Sequence, residues 1–188
     1  VINSAEPWKL PEIDKLPKFF NILPQIENWD ELIQYCSPLN WTPQATFEAT
    51  KLFASNLNAV LAEKFFKIVL LPNIRKDIKV NKKLNIHFYK CLKKAIFKPS
   101  AFFKGLIIPM AVNAGAKEAA IVGSILRKCS IPVVHSSAAL MLLSQEGNHN
   151  GVLYFMKILI MKKYALPTVV KEEIGKFFVS FTNITNKK

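Results

Sequence analysis

The densest concentration of one chemical type in this sequence is a run of cationic side chains between residues 74 and 98. Its only acid is Asp77. Lys83, His87, Lys90 and Lys94 are three or four residues apart, a spacing that predicts one shared face on a helix. The basic residues of the run are Arg75, Lys76, Lys79, Lys82, Lys83, Lys90, Lys93, Lys94 and Lys98.

Like charges on one helix face repel each other, and phosphates of a nucleic acid would neutralise them. The net charge of +13 resides entirely beyond residue 50, an asymmetry that favours a polyanionic partner. Only Arg75 and Arg127 are arginines, which favours contact with the backbone or shape of a nucleic acid over readout of base edges. Lys104 extends the candidate surface. A solvated lysine face without a ligand is the alternative interpretation.

The candidates for catalysis are weak. His135 precedes Ser136 and Ser137, but neighbouring residues on a helix point about 100° apart. No acid lies nearby in sequence to orient the imidazole. Arg127 and Lys128 beside Cys129 could lower the pKa of its thiol, yet its place at a helix end opposes a thiolate. We expect no catalytic centre.

Metal and cofactor sites are not indicated either. Cys36, Cys91 and Cys129 are odd in number and widely spaced, which argues against a disulfide framework or a zinc site and favours a reducing compartment. The single glycine of residues 114–117 lacks the pattern of a phosphate-binding loop. No segment approaches the roughly 20 apolar residues of a membrane span. We expect no cofactor, no small-molecule substrate and no membrane partner.

The periodicity of apolar residues predicts an all-α protein without a sheet. Helices of this length joined by short loops pack either as a bundle or as a short solenoid. The later helices are predicted at 84–98, 100–112, 116–129, 133–146, 151–163 and 168–181.

Capping residues and prolines set the predicted boundaries. Asn28 and Glu31 resemble a capping box, Thr42 precedes Pro43 as an N-cap, and Ser100 could cap a later helix. A break is expected near residues 56–58. Pro109 predicts a kink or an early stop, and four other prolines are expected between helices: Pro72, Pro99, Pro132 and Pro167.

The prolines of residues 1–27 predict an extended lead-in packed on the body. Residues 28–188 then form a single all-helical domain. We interpret the chain as a fragment of a longer protein.

Several blocks, in the same order along residues 28–181, resemble the bystin family. The longest are Lys98–Gly105 and Ser130–Leu140, and the others are 40–43, 49–56, 75–78, 83–89, 92–95 and 162–167. Each block alone would be weakly specific, whereas the ordered set is highly specific.

The resemblance implies a helical, HEAT-like protein that is not an enzyme and acts in assembly of the small ribosomal subunit and processing of pre-rRNA. It implies contact with pre-rRNA, with assembly factors that include the low-temperature-viability family, and with small-subunit ribosomal proteins. It also implies residence in the nucleolus and nucleus, and travel with the particle toward the cytoplasm. The rival functions are an RNA-independent protein adaptor of an adhesion or transport complex, and a hydrolase or RNA-modifying enzyme that depends on His135 or Cys129.

Overall fold

The computed structural model describes the backbone of residues 16–185 and the side chains of residues 16–180. Every regular element in this part of the chain is helical, and no strand occurs in it, which confirms the all-α prediction. None of the helices in these residues has the length and apolarity needed to cross a bilayer. The chain divides into two compact units, one ending at Leu106 and the other starting at Ile107.

From residue 16 onward, the first unit contains three short 3₁₀ turns and six α-helices. The turns span Lys18–Asn21, Leu23–Gln25 and Pro38–Asn40; the helices are α1 (Trp29–Tyr35), α2 (Pro43–Asn56), α3 (Ala59–Phe65), α4 (Leu71–Asn81), α5 (Ile86–Ala95) and α6 (Pro99–Phe102). Residues 1–15 of the lead-in lie outside the described residues. At its end, the fully buried Phe20 meets Trp41 edge to face, with ring centroids 5.4 Å apart.

The second unit contains five helices among its described residues. These are α7 (Ile108–Asn113), α8 (Ala116–Lys128), α9 (Val133–Gln145), α10 (Asn150–Met161) and α11 (Thr168–Thr185). Here α8 packs on α10 and α9 packs on α11, while in the first unit α2 packs on α5 and α3 packs on α6. In the second unit α10 also packs on α7, so α10 contacts helices on two sides.

Side-chain caps explain several helix starts. The Thr42 hydroxyl accepts the Ala45 N–H at 3.1 Å, which confirms that cap. Asn58 accepts the Leu61 N–H at 2.8 Å and starts α3, so the predicted break near residues 56–58 is also confirmed. Asn28 occupies the predicted N-cap position of α1, but its side chain makes no capping hydrogen bond. The prediction for Ser100 was wrong, because this residue lies inside α6, which begins after Lys98.

The prediction that Pro72 separates two helices was wrong. The backbone passes from α3 through a π-helical segment, Phe66–Leu70, directly into α4, which carries Pro72 in its first turn. The Leu71 N–H bonds to the Phe66 carbonyl, five residues back. Hydrogen bonds across five residues, as in this π-helical turn, replace the α-helical bonds across four residues that a proline interrupts.

A π-helical segment followed by a proline occurs a second time. A π-helical segment spans Phe103–Ile107, and Pro109 follows in the first turn of α7, which continues to Asn113 rather than stopping early. Both stretches share the pattern Phe-Phe-Lys, two variable residues, two aliphatic residues and proline, at 65–72 and 102–109. The sequence thus holds a short internal repeat that marks equivalent helices.

Candidate nucleic-acid interface

Helix α5 has one buried face and one basic face. Asn85 starts it by accepting the His87 N–H at 2.9 Å. His87, Lys90 and Lys94 lie beside the core face, on the side of α5 that meets α2, with Lys90 exposed and the other two half-buried. The core face consists of four residues, all less than 4% exposed: Phe88, Cys91, Leu92 and Ala95.

Lys83 does not belong to this face, so the predicted four-residue row was wrong at its first member. The helix begins at Ile86, and Lys83 is exposed in the loop between α4 and α5. Lys82 ends α4 in the left-handed conformation, with φ of 55°. This turn interrupts the helical periodicity on which the prediction relied.

An aromatic ring from α2 completes the basic face. Lys51 and Lys90 place their ammonium groups 5.0 and 5.7 Å from the centroid of the Phe47 ring, one from each helix. The His87 ring centroid lies 6.3 Å from the same ring. The Phe47 ring thus lies within cation–π range of one lysine from each helix. Glu48 is the acid at this place, and it pairs with Lys51 at 2.6 Å.

A second aromatic ring lies at the other end of the face. Phe97 is 80% exposed, and the Lys94 ammonium is 5.5 Å from its centroid. The Phe97 N–H bonds to the Lys94 carbonyl at 3.2 Å, a 3₁₀-like turn that places these side chains one above the other. We call the set consisting of Phe47, Lys51, His87, Lys90, Lys94 and Phe97 the basic stripe.

Three predicted site lysines donate hydrogen bonds to backbone carbonyls and lie outside the basic stripe. Lys76 donates to the Leu39 carbonyl at 2.6 Å, and Lys82 donates to the Lys79 carbonyl at 2.7 Å. Lys98 donates to the Leu57 carbonyl, which joins the α5–α6 turn to the α2–α3 turn. Burial, and then the charge of Lys94, lower the pKa of Lys98. We therefore assign Lys98 a structural role.

The remaining predicted residues do not form one cluster with the stripe. Lys93 is exposed and lies over the Tyr89 ring at 5.1 Å, on the flank of α5. Arg75 and the exposed Lys79 lie on α4, and the exposed Lys104 lies on the second π segment. Sequence reasoning missed Phe47 and Phe97, although Phe97 continues the spacing of Lys90 and Lys94.

Asp77 anchors the loop that precedes the stripe. One carboxylate oxygen accepts the Asn85 N–H at 2.8 Å and the other accepts the Asn81 side chain at 2.7 Å. Asp77→Ala should lower the free energy of unfolding by about 1.5–3 kcal/mol, because hydrogen bonds to a charged acceptor are lost. Urea denaturation followed by tryptophan fluorescence measures the change, with the exposed Glu27→Ala as control. A loss below about 0.5 kcal/mol would contradict the anchoring role.

The residues considered for catalysis lie on α9 and at the end of α8. Ser136 and Ser137 lie on α9, and their buried hydroxyl oxygens have no hydrogen-bond partner among the described residues. The half-buried Cys129 ends α8, and its carbonyl accepts Lys162 at 2.6 Å. Burial raises the pKa of the Cys91 thiol to about 12. Among the described residues, no three His, Cys, Asp or Glu side chains gather as a metal site would require.

Comparison with known proteins gives a consistent result. The family model described as Bystin matches residues 12–188. Proteins named bystin from Bos taurus and Homo sapiens are 45% and 44% identical over 169 residues, covering 89% of this chain and 39% of each relative. One from Arabidopsis thaliana is 39% identical over 173 residues, covering 91% of this chain and 39% of the relative. The chain thus spans about two fifths of the length of these relatives.

Proposed function

The chain belongs to the bystin family, and from that membership we propose that it acts as a non-enzymatic helical scaffold in ribosome biogenesis. It binds pre-rRNA of the small subunit through the basic stripe during subunit maturation and pre-rRNA processing. Its other partners in this proposal are assembly factors of the low-temperature-viability family and small-subunit ribosomal proteins. Its place of action is the nucleolus and nucleus, and the cytoplasm when it accompanies the particle.

The observation that carries the RNA-binding part is the concentration of uncompensated charge on α5. Lys90, Lys93 and Lys94 take part in none of the ion pairs found within the described residues. Lysines packed over aromatic rings keep their charge while losing mobility, so less entropy is lost when they bind a phosphate. Each phosphate contact would also release counterions.

Reversing the charge of Lys90 and Lys94 should weaken RNA binding at least tenfold at moderate salt. Two lost phosphate contacts should also reduce the slope of log K against log salt by about 1.4, at about 0.7 for each contact on a single strand. The matched control is Lys157→Glu with Lys171→Glu, two exposed lysines of α10 and α11 that change the net charge equally. Filter binding of a small-subunit precursor transcript over a salt series measures both quantities.

The same variants test RNA binding by the basic stripe in cells. Ultraviolet crosslinking of the tagged full-length protein, followed by sequencing of the attached RNA, should give discrete sites on the small-subunit precursor. The sites should disappear in the Lys90/Lys94 variant and persist in the control. No enrichment above a non-binding protein would contradict the proposal and favour an RNA-independent protein adaptor.

A further inference from the structure

Deepening the proposed function, on which this inference rests, we propose that the basic stripe binds unpaired RNA, with one base stacked on Phe97 and the adjoining phosphates on Lys90, Lys94 and Lys51. The partner is thus a single strand, a loop or a bulge rather than a duplex. The argument depends on the aromatic residues of the stripe, since the lysines alone would suit either form of RNA.

Phe97 has the position of a stacking platform. At 80% exposure it contributes almost nothing to the core, and it stands at the end of a basic helix face. The Lys94 ammonium near its ring would contact a phosphate while a base covers the ring. An aromatic surface beside cations is the combination that proteins use for single strands, because every base has a face that can stack. In a duplex the bases are already stacked on one another and cannot cover Phe97.

Phe47 has a different role, as a positioning residue. It is half-buried between α2 and α5, and both Lys51 and Lys90 lie over its ring. Both ammonium groups lie within 5.7 Å of the ring centroid, so an anion beside Phe47 is attracted by one cation from each helix. A phosphate there would compensate the pair, with Glu48 retaining its contact to Lys51.

The distance between Lys90 and Phe97 fits a short RNA segment. The two residues are seven positions apart, five of them within α5 at about 1.5 Å per residue and two in the following 3₁₀-like turn at about 2 Å, or roughly 11 Å along the axis. At the roughly 3.4 Å per nucleotide of a fully stacked strand, about three nucleotides span this distance, and an extended strand needs fewer. A phosphate at Lys51 and Lys90 and a base on Phe97 can therefore belong to one strand.

The test uses Phe97, because substitutions of so exposed a side chain change stability by no more than about 0.5 kcal/mol. Phe97→Leu removes the aromatic face and keeps an apolar side chain, whereas Phe97→Trp keeps the face. Phe97→Leu should weaken binding of a single-stranded RNA by about 5- to 150-fold and leave the salt slope unchanged, since stacking involves no counterions. Phe97→Trp should bind at least as well as the parent, and its added fluorescence should be quenched by the RNA. The control is Tyr35→Leu, which removes another aromatic side chain, 76% exposed, from α1.

The outcomes separate this inference from the proposed function. If reversing Lys90 and Lys94 abolishes binding while Phe97→Leu binds normally, RNA binding by the stripe stands and the stacking inference is overturned. Equal affinity for a duplex and a single strand of the same sequence would overturn it as well. If the parent protein binds neither form, both proposals fail. If Phe97→Leu loses a protein partner and keeps full RNA affinity, the stripe is a protein-docking surface and the inference is overturned.

Discussion

Replacing Phe65 by alanine should lower the free energy of unfolding of the first unit by about 3–5 kcal/mol, the usual range for removing a buried phenylalanine. Small domains have a total stability of only about 5–15 kcal/mol, so the variant should be partly unfolded at 37 °C. Urea denaturation followed by tryptophan fluorescence is a direct measurement, because the Trp29 ring lies 6.3 Å from Phe65.

The size of this effect follows from the place of Phe65 in the core. Its side chain is fully buried and stacks on Phe53, with ring centroids 4.6 Å apart and planes 9° apart. Trp29, from α1, covers both rings. One side chain of α3 thereby joins three helices of the first unit. Its removal would leave a cavity lined by rigid rings, which cannot collapse into the space.

Two variants bracket the prediction. Phe65→Leu keeps most of the volume and should cost less than about 1.5 kcal/mol. Phe97→Ala, the same chemical change on an exposed ring, should alter stability by no more than about 0.5 kcal/mol. A Phe65→Ala protein as stable as the Phe97→Ala protein would show that the aromatic cluster does not support the first unit.

The helices could be predicted because residues close to each boundary in sequence determine where the helix begins or ends. Thr42 and Pro43 start α2 through one hydroxyl and one fixed backbone angle, and both act within a single turn. The ends of α8 and α9 fall within one residue of their predicted positions. Caps and apolar periodicity are short-range signals, so one sequence is enough to detect them.

Pro72 shows where short-range reasoning fails. A proline normally ends a helix, but a π segment before it lets the helix continue. The signal was present in the sequence as the repeated Phe-Phe-Lys pattern ending in Pro72 and Pro109. Two copies of one pattern with proline at the same place indicate a shared structure rather than two chance boundaries.

The candidate site was predictable along one helix and not between helices. The spacing of His87, Lys90 and Lys94 placed them correctly on one face of α5. Phe47 is distant in sequence, and only the packing of α2 on α5 brings its ring under Lys90. Lys98 is a lysine like Lys93 and Lys94, yet its ammonium group donates a hydrogen bond to the Leu57 carbonyl and so faces the protein instead of the solvent. Charge runs therefore identify a surface without showing which of its cations are available.

Replacing Gly151 by alanine should destabilise the second unit by about 3 kcal/mol, at the upper end of the range for overpacking. A methyl group at this position on α10 would lie 2.3 Å from the Ala111 carbonyl oxygen and 3.1 Å from the carbonyl carbon. Both atoms belong to the backbone of α7, so no side-chain rotation can relieve the clash. The helices must move apart, which weakens packing along their contact.

The control for Gly151 is the same substitution where space is free. A methyl group on Gly175 of α11 would meet nothing within 4 Å, and φ there lies outside the left-handed region. Gly175→Ala should therefore stabilise the chain by about 0.5–1 kcal/mol, because alanine favours the helix. Thermal unfolding followed by circular dichroism should show a lower midpoint for Gly151→Ala and a raised one for Gly175→Ala. A Gly151→Ala protein with an unchanged midpoint would mean that α7 and α10 do not touch at this glycine, and the packing of the second unit would have to be revised.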